Sequence, residues 1–347
     1  MNQPRVRFIV YRYQHHSPHS GYSRLAEYGL ARFDAQIVRV AKPLPRWLIR
    51  ERILWRLAKG TPGYDRAAMA AEMHVAWKML REKDAIFHFL YGETNYHYAG
   101  YLNDFRNNRL IATFHQPIRG IQKAVQIDWH IRQLSAVICV GSSQANYFDG
   151  LLASDRIFVV PLGVDIEYYL PPAAPSQRNP DLCLVVGQNY RDFPTLRGVI
   201  ELVAYLRPQT KFIAVMSHQA QDLLGNHPNL TLLSNIDETE LLNLYHRASL
   251  LVMPFTEATA NNAILESMAC GLPLVVSDIG SIRDYVDSAS ALIVPPFDAR
   301  CMAEAVIELL DEQDEREQRS IACRVRAMNF SWDIVLNQLE TVYAEIN

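Results

Sequence analysis

The sequence predicts an α/β protein made of two doubly wound domains, and three observations carry that prediction. Short apolar runs rich in β-branched residues recur along the chain, separated by longer helical patterns. Such alternation marks parallel sheets assembled from βαβ units. A proline-rich break, PPAAPSQRNP at 171–180, interrupts the pattern and has neither strand nor helix periodicity. At 347 residues the chain is too long for one ordinary domain and suits two.

In the first half, strands are expected at VRFIVY (6–11), QIVRV (36–40), AIFHFL (85–90), LIATF (110–114), AVICV (136–140) and IFVVP (157–161). In the second half they are expected at LCLVVG (182–187), KFIAVM (211–216), LTLL (230–233), LLVMP (250–254), PLVVS (273–277) and ALIV (291–294). The domains are accordingly placed at 1–168 and 180–330, with a last helix over 331–347 that crosses back to brace the first.

Composition narrows the class. Hydrophobic residues make up 49% and charged ones 20%, which builds sizeable cores and excludes a disordered chain. The five cysteines (Cys139, Cys183, Cys270, Cys301, Cys323) are odd in number, scattered and mostly inside apolar runs. That argues for buried thiols in a reducing compartment, against a disulfide framework or a zinc site. The start, MNQPRVRFIVYRYQ, has no long apolar stretch of the signal-peptide kind, and no run is long enough to span a bilayer, so a cytoplasmic location is expected.

The net charge of −3 hides an asymmetry. Residues 1–165 hold 22 Lys+Arg and 13 Asp+Glu, a balance of +9, leaving 12 and 24, a balance of −12, for residues 166–347. A basic first half favours an anionic partner, such as a phosphorylated or lipid-linked substrate or an anionic membrane surface. Nucleic acid fits the charge alone, and no motif below supports it.

Ligands of doubly wound sheets bind beyond the carboxyl ends of the strands, so the loops after strands carry the search. After LLVMP, a helix is expected from about Thr259 to Cys270, stopped by Gly271 and Pro273. Its first turn, Thr259, Ala260, Asn261 and Asn262, would present unpaired N–H groups and the positive end of the helix dipole to a phosphate. Glu266, about two turns further on, could accept hydrogen bonds from the two hydroxyls of a ribose. The plain structural alternative is an N-cap at Thr259, exposed asparagines and a surface ion pair for Glu266.

The stretch ATANNAILESMACGLPLVVS resembles the donor-binding signature E-G-F-G-x-x-x-L-E-A-M-A-x-G-x-P-V-V of the retaining, family 4 glycosyltransferases of GT-B fold. The resemblance implies two Rossmann-like domains facing across a cleft, and a nucleoside-diphosphate sugar as donor. It implies that Glu266 holds the ribose and that the amides at 259–262 hold the diphosphate. The first glutamate of the pattern, which contacts the transferred sugar, falls on Ala258, with Glu257 one place away. Its glycines are replaced by Thr259 and Asn261.

Other segments follow the same resemblance. VGQNYRDF (186–193) is similar to the loop whose arginine and lysine hold the diphosphate; here Gln188 stands in the arginine's place and Arg191 is the substitute cation. In NIDETELLNLYHRASLLVMP, Asn235 and Ile236 are expected at the nucleobase. VPLGVDIEYYLP (160–171) is similar to the hinge that closes the first domain. In the first half, Gly21 of HHSPHSGYSRLAEYG lies where the family has a loop near the donor phosphates, and His115 of TFHQPIRG matches a histidine beside the transferred sugar. The resemblance thus places the catalytic set at His115, Arg191 and Glu257. The acceptor side falls at His19, Tyr22, Tyr91 and Glu93, the last two in the aromatic loop HFLYGETNYHYAGYL.

His15, His16 and His19 raise the question of a metal. Pro18 breaks any common helical face for them, no D-x-D pair exists in the chain, and the family works without one. No metal and no cofactor beyond the sugar donor are expected. The segment RWLIRERILWRLAKG (46–60) carries five Lys/Arg against one Glu, interleaved with Trp47 and Trp55, which reads as a membrane-surface helix or as a helix of the acceptor side.

The function expected is transfer of a sugar from a nucleoside-diphosphate sugar to a hydroxyl of a saccharide, lipid-linked or small-molecule acceptor, with retention at the anomeric carbon. Alternatives on the same architecture are a catalytically weak nucleotide-sugar-binding protein, an epimerase or a phosphorylase. The second half has few lysines to hold the phosphorylase's pyridoxal phosphate, and no G-x-G-x-x-G follows a strand, which disfavours a dinucleotide oxidoreductase.

Overall fold

The computed structural model describes residues 4–10, 18–39, 43–50, 52, 53, 56, 64–125 and 127–346. His15, His16, Trp55 and Lys59 lie outside the described residues. The chain divides into two compact units, Met1–Leu162 with Trp332–Asn347, and Gly163–Ser331.

The first unit is a six-stranded parallel sheet in the order β2-β1-β3-β4-β5-β6. Its strands are β1 (Arg5–Val10), β2 (Asp34–Arg39), β3 (Ala85–Phe89), β4 (Arg109–Phe114), β5 (Ala136–Cys139) and β6 (Ile157–Val159). Helices α1 (Ser23–Arg32) and α2 (Arg66–Met79) cover its β1–β3 end. β3 and β5 are buried at every position, as strands covered on both faces must be.

The second unit is also six-stranded and parallel, in the order β12-β11-β10-β7-β8-β9. Its strands are β7 (Leu182–Val186), β8 (Lys211–Val215), β9 (Leu230–Leu233), β10 (Leu250–Met253), β11 (Leu274–Ser277) and β12 (Ala291–Val294). Its helices include α3 (Phe193–Leu206), α4 (Glu238–Arg247), α5 (Asn262–Ala269), α6 (Ala299–Asp311) and α7 (Gln313–Met328). Gly198 lets α3 and α6 touch: a Cβ there would lie 2.8 Å from that of Ala299. Read from the far edge, the strand order is 3-2-1-4-5-6, the Rossmann order, which reverses between β7 and β10. In the first unit the order reverses between β1 and β3. Loops diverge at such points and leave a crevice at the strand ends.

The final helix α8 (Trp332–Ile346) belongs to the first unit. The Tyr343 hydroxyl lies 2.7 Å from His88 Nδ1, Arg32 pairs with Glu340 at 2.7 Å, and Arg109 Nε donates to the Ile346 carbonyl at 2.8 Å. The division falls earlier than the proline-rich break. Residues 163–170 go with the second unit because Arg324 donates to the carbonyls of Ile166 and Tyr169, and Val164 pairs with Ser331.

Candidate functional site

In the second unit the reversal point brings two loops together. The first, after β7, turns through Gly187 and Tyr190, both left-handed at φ +78° and +56°. It is sewn to the loop after β10: Thr256 N–H donates to the Tyr190 carbonyl at 2.9 Å and Asp192 N–H to that of Pro254 at 3.1 Å. Asp192 then starts α3, accepting from Thr195 N at 3.1 Å and its hydroxyl at 2.6 Å.

Arg191 sits inside this weave. It is 5% exposed, its guanidinium lies 4.4 Å above the Phe255 ring, and its Nη2 donates to the carbonyl of Val186, the last residue of β7. Nη1 reaches the Asn189 carbonyl at 3.3 Å, and Nε has no partner. Burial pulls its pKa down to about 9, only partly opposed by Tyr245. A cation held by carbonyls and a ring face keeps much of its charge unneutralised, which suits an anion brought to the loop. Gln188 is differently placed: it is exposed, and its Oε1 accepts from Ser217 N at 2.8 Å, tying the loop to the end of β8.

The helix after β10 starts later than the sequence suggested. α5 begins at Asn262, because Asn261 is extended (φ −141°) and caps it through its side chain, accepting from Ile264 N at 3.4 Å. Thr259 competed for the cap by residue type, yet it is buried in the loop with Ala258. The backbone decides: Ser281 N–H donates to the Ala258 carbonyl at 3.0 Å, and Gly280 (φ +59°) leaves room for it. The first-turn amides without intrahelical acceptors are therefore those of Asn262 and Ala263, while Thr259 and Ala260 belong to the approach loop. Glu257 is half-buried in that loop.

Glu266 lies in the second turn of α5, not two full turns in, and is 4% exposed. The surface ion pair is thereby excluded. Its Oε2 accepts from the Tyr245 hydroxyl at 2.8 Å, and both burial and the carboxylate raise that phenol's pKa. Tyr169 packs edge-on to Tyr245 at 6.3 Å and donates to Glu238 at 3.2 Å. Sequence reasoning missed Tyr245; its signal was a lone tyrosine beside Leu244 on the apolar side of α4. Asn235 (φ +55°, exposed) and half-buried Ile236 form the turn before α4, which Asp237 caps.

The first unit gathers its expected residues at its own reversal point. His115 follows β4; its ring lies 4.6 Å from that of Tyr22, edge-on, and 4.8 Å from that of Tyr91. Its Nε2 faces the Leu90 carbonyl at 2.7 Å, and burial pushes its pKa down to about 4, so the ring is neutral at pH 7. Glu93 is 4% exposed and accepts from the backbone N–H of His115 and, at 2.8 Å, of Gln116. It is thus the clamp of the His115 loop, and burial raises its own pKa. Gly21 (φ +92°) makes the turn before Tyr22, and His19 is half-buried in that turn.

Two buried features here were not foreseen. Tyr22, Thr113, His88 and Tyr343 form a chain of side-chain contacts with steps of 3.4, 2.7 and 2.7 Å. Glu72 on α2 accepts from the amides of His97, Tyr98 and Ala99 at 2.7–2.9 Å and from the Tyr64 hydroxyl, pinning the aromatic loop. Among the described residues, no group of three or more His, Cys, Asp or Glu side chains is placed to hold a metal.

Residues 182–312 match the family model described as glycosyl transferases group 1. The second unit carries a group 1 glycosyltransferase domain. The match spans α5, Glu266, Tyr245 and Arg191. Among curated relatives, glycogen synthase of Mycobacterium tuberculosis is 26% identical over 232 residues, 62% of this chain and 55% of its own. D-inositol 3-phosphate glycosyltransferase of Thermobispora bispora is 32% identical over 109 residues, 31% of this chain and 26% of its own. The chain spans about half the length, or less, of these curated relatives. A glycosyltransferase from Rickettsia africae superposes with a TM-score of 0.70 at 16% identity, covering 100% of this chain and 99% of the other. Anabaena HepE, solved in complex with UDP and glucose, gives 0.70 at 14% identity, covering 98% and 99%. With the two Rossmann-like units, these likenesses establish the fold as GT-B.

Proposed function

We propose that the protein transfers a sugar from a nucleoside-diphosphate sugar to an acceptor hydroxyl, with retention at the anomeric carbon and without a metal. The observation that carries the reading is the pairing, in one matched domain, of the capped N-terminus of α5 with the buried Glu266 one turn further on. The amides of Asn262 and Ala263 suit a phosphate. The Glu266 carboxylate, oriented by Tyr245, suits a ribose diol. The complex of HepE with UDP and glucose supports a donor of that class.

In sugar transfer, negative charge grows on the departing diphosphate, so fixed donors aimed at it lower the barrier most. The α5 amides and Arg191 are the candidates, with Asn235 and Ile236 at the base. His115, neutral and held by Leu90 and Glu93, orients hydroxyl groups. The reading assigns His19, Tyr22 and Tyr91 to the acceptor and assigns Glu257 to the sugar.

The test is nucleotide release from UDP-, GDP- and ADP-sugars, with and without chelator, followed by NMR of the product's anomeric signal. Release that survives chelation and yields the donor's configuration is expected. No release from any donor would favour the second reading, a binding protein, which the displaced Glu257 supports.

A further inference from the structure

We propose that residues 43–50 of the first unit, with Arg52, Ile53 and Arg56, seat the protein on an anionic lipid bilayer. The segment is anchored at its centre and open around it. Ile49 is buried against Tyr64 and Ala68, and Leu44 packs on the same small core. The backbone is fixed to α2, with Leu44 N–H donating to the Arg66 carbonyl at 3.1 Å and Arg66 Nη1 to that of Leu44 at 2.8 Å. Around this anchor Trp47 is 84% exposed, Leu48 54% and Ile53 51%.

Large apolar side chains this open are an association surface. Arg46, Arg50, Arg52 and Arg56 are exposed in the same segment, whose sequence holds one acidic residue, Glu51, outside the described residues. Tryptophan and aliphatic groups interleaved along the chain with exposed arginines match the boundary between lipid headgroups and acyl chains. The rings and aliphatics enter it, while the long arginine stems keep their charge at the phosphates. Among the described residues no helix is long and apolar enough to cross a membrane, so the contact is a surface one.

The seat lies next to the acceptor loop. Tyr98 packs on the Ile49 core, and Tyr64 of that core holds Glu72, which pins the amides of residues 97–99. Combined with the proposed function, on which this last step rests, the arrangement selects a lipid-linked acceptor over a free saccharide.

The experiment is co-sedimentation of the full chain with phosphatidylcholine vesicles, alone and with phosphatidylglycerol. It is run at low salt and at about 0.5 M, where the screening length falls to roughly 4 Å. Binding to the anionic vesicles alone, weakened by salt, is expected. The combined variant Arg50→Glu, Arg52→Glu, Arg56→Glu should lose affinity by more than about a hundredfold. Trp47→Ala with Ile53→Ala should weaken binding at both salt concentrations. Both variants should keep the wild-type melting temperature and its shift with nucleotide. Equal binding to neutral and anionic vesicles, or none, overturns the proposal. So does lipid-free self-association abolished by Trp47→Ala, which would assign the patch to a second copy. Lipid binding without any nucleotide shift would leave the seat standing and remove the donor reading.

Discussion

His88 offers a test of how the first unit is built. It is wholly buried between Thr113 and Tyr343, and burial, with a smaller contribution from His115, pushes its pKa down to about 3. In the unfolded chain the same ring titrates near 6.5. Below that value the unfolded state takes up a proton that the folded state refuses. The folded pKa is depressed, so this contribution to stability is present above pH 6.5 and is lost as pH falls towards 3. Between pH 7 and pH 4.5 the loss amounts to about 2.5 kcal/mol, and it changes little if the folded pKa is a unit higher. His88→Gln keeps a donor and an acceptor for Thr113 and Tyr343 but cannot titrate. Urea unfolding of both proteins at the two pH values supplies the comparison, with the contributions of all other groups cancelling. The variant should be less stable at pH 7 and should recover about 2.5 kcal/mol on the wild type by pH 4.5. Parallel pH dependence of the two would refute the account of a neutral, desolvated His88.

Glu93→Ala should strip the acceptor from the His115 and Gln116 amides and destabilise the first unit by about 2–4 kcal/mol, whereas Glu93→Gln, which keeps an oxygen there, should cost about 1 kcal/mol in the same unfolding assay. Gly280→Ala would place a Cβ 2.1 Å from the Ala258 carbonyl at a left-handed residue. A loss of more than about 2 kcal/mol from the second unit, and weaker nucleotide binding through the displaced 257–261 loop, are expected by denaturation and calorimetry.

Much of this was legible before the structure. Among the described residues all twelve strands lie where the apolar runs put them, to within about two residues at each end; inner strands such as β3 and β5 show most clearly because both their faces are covered. The cluster of Tyr22, Tyr91, Glu93 and His115 was legible as four loop residues, since loops after strands converge. What those residues do was not. Glu93 reads as an acceptor contact in sequence and is a backbone clamp in the fold, because a carboxylate's partners across the chain leave no local trace. The start of α5 was misplaced for a related reason: Thr259 and Asn261 are both capping residues, and the contact of residue 258 with Gly280 and Ser281 chooses between them. Arg191 was legible as the cation of its loop but its burial was not, since nothing local announces that Phe255 lies beneath it. Glu72 could have been found, because it shares a helical face with Ala68, Val75 and Met79, and a carboxylate on a buried face must be held by something.

The central claim is that Glu266 holds the ribose of a nucleoside diphosphate at the second unit. Isothermal titration of wild type and Glu266→Ala with UDP, GDP and ADP, and then with the matching phosphate lacking the nucleoside, tests it most directly. The account predicts that one of the three binds the wild type and that the variant loses roughly 10- to 100-fold, about 1.5–3 kcal/mol for a charge-assisted contact. Affinity for the bare diphosphate should stay the same. Unchanged nucleotide affinity in the variant, with its fold intact, would contradict it.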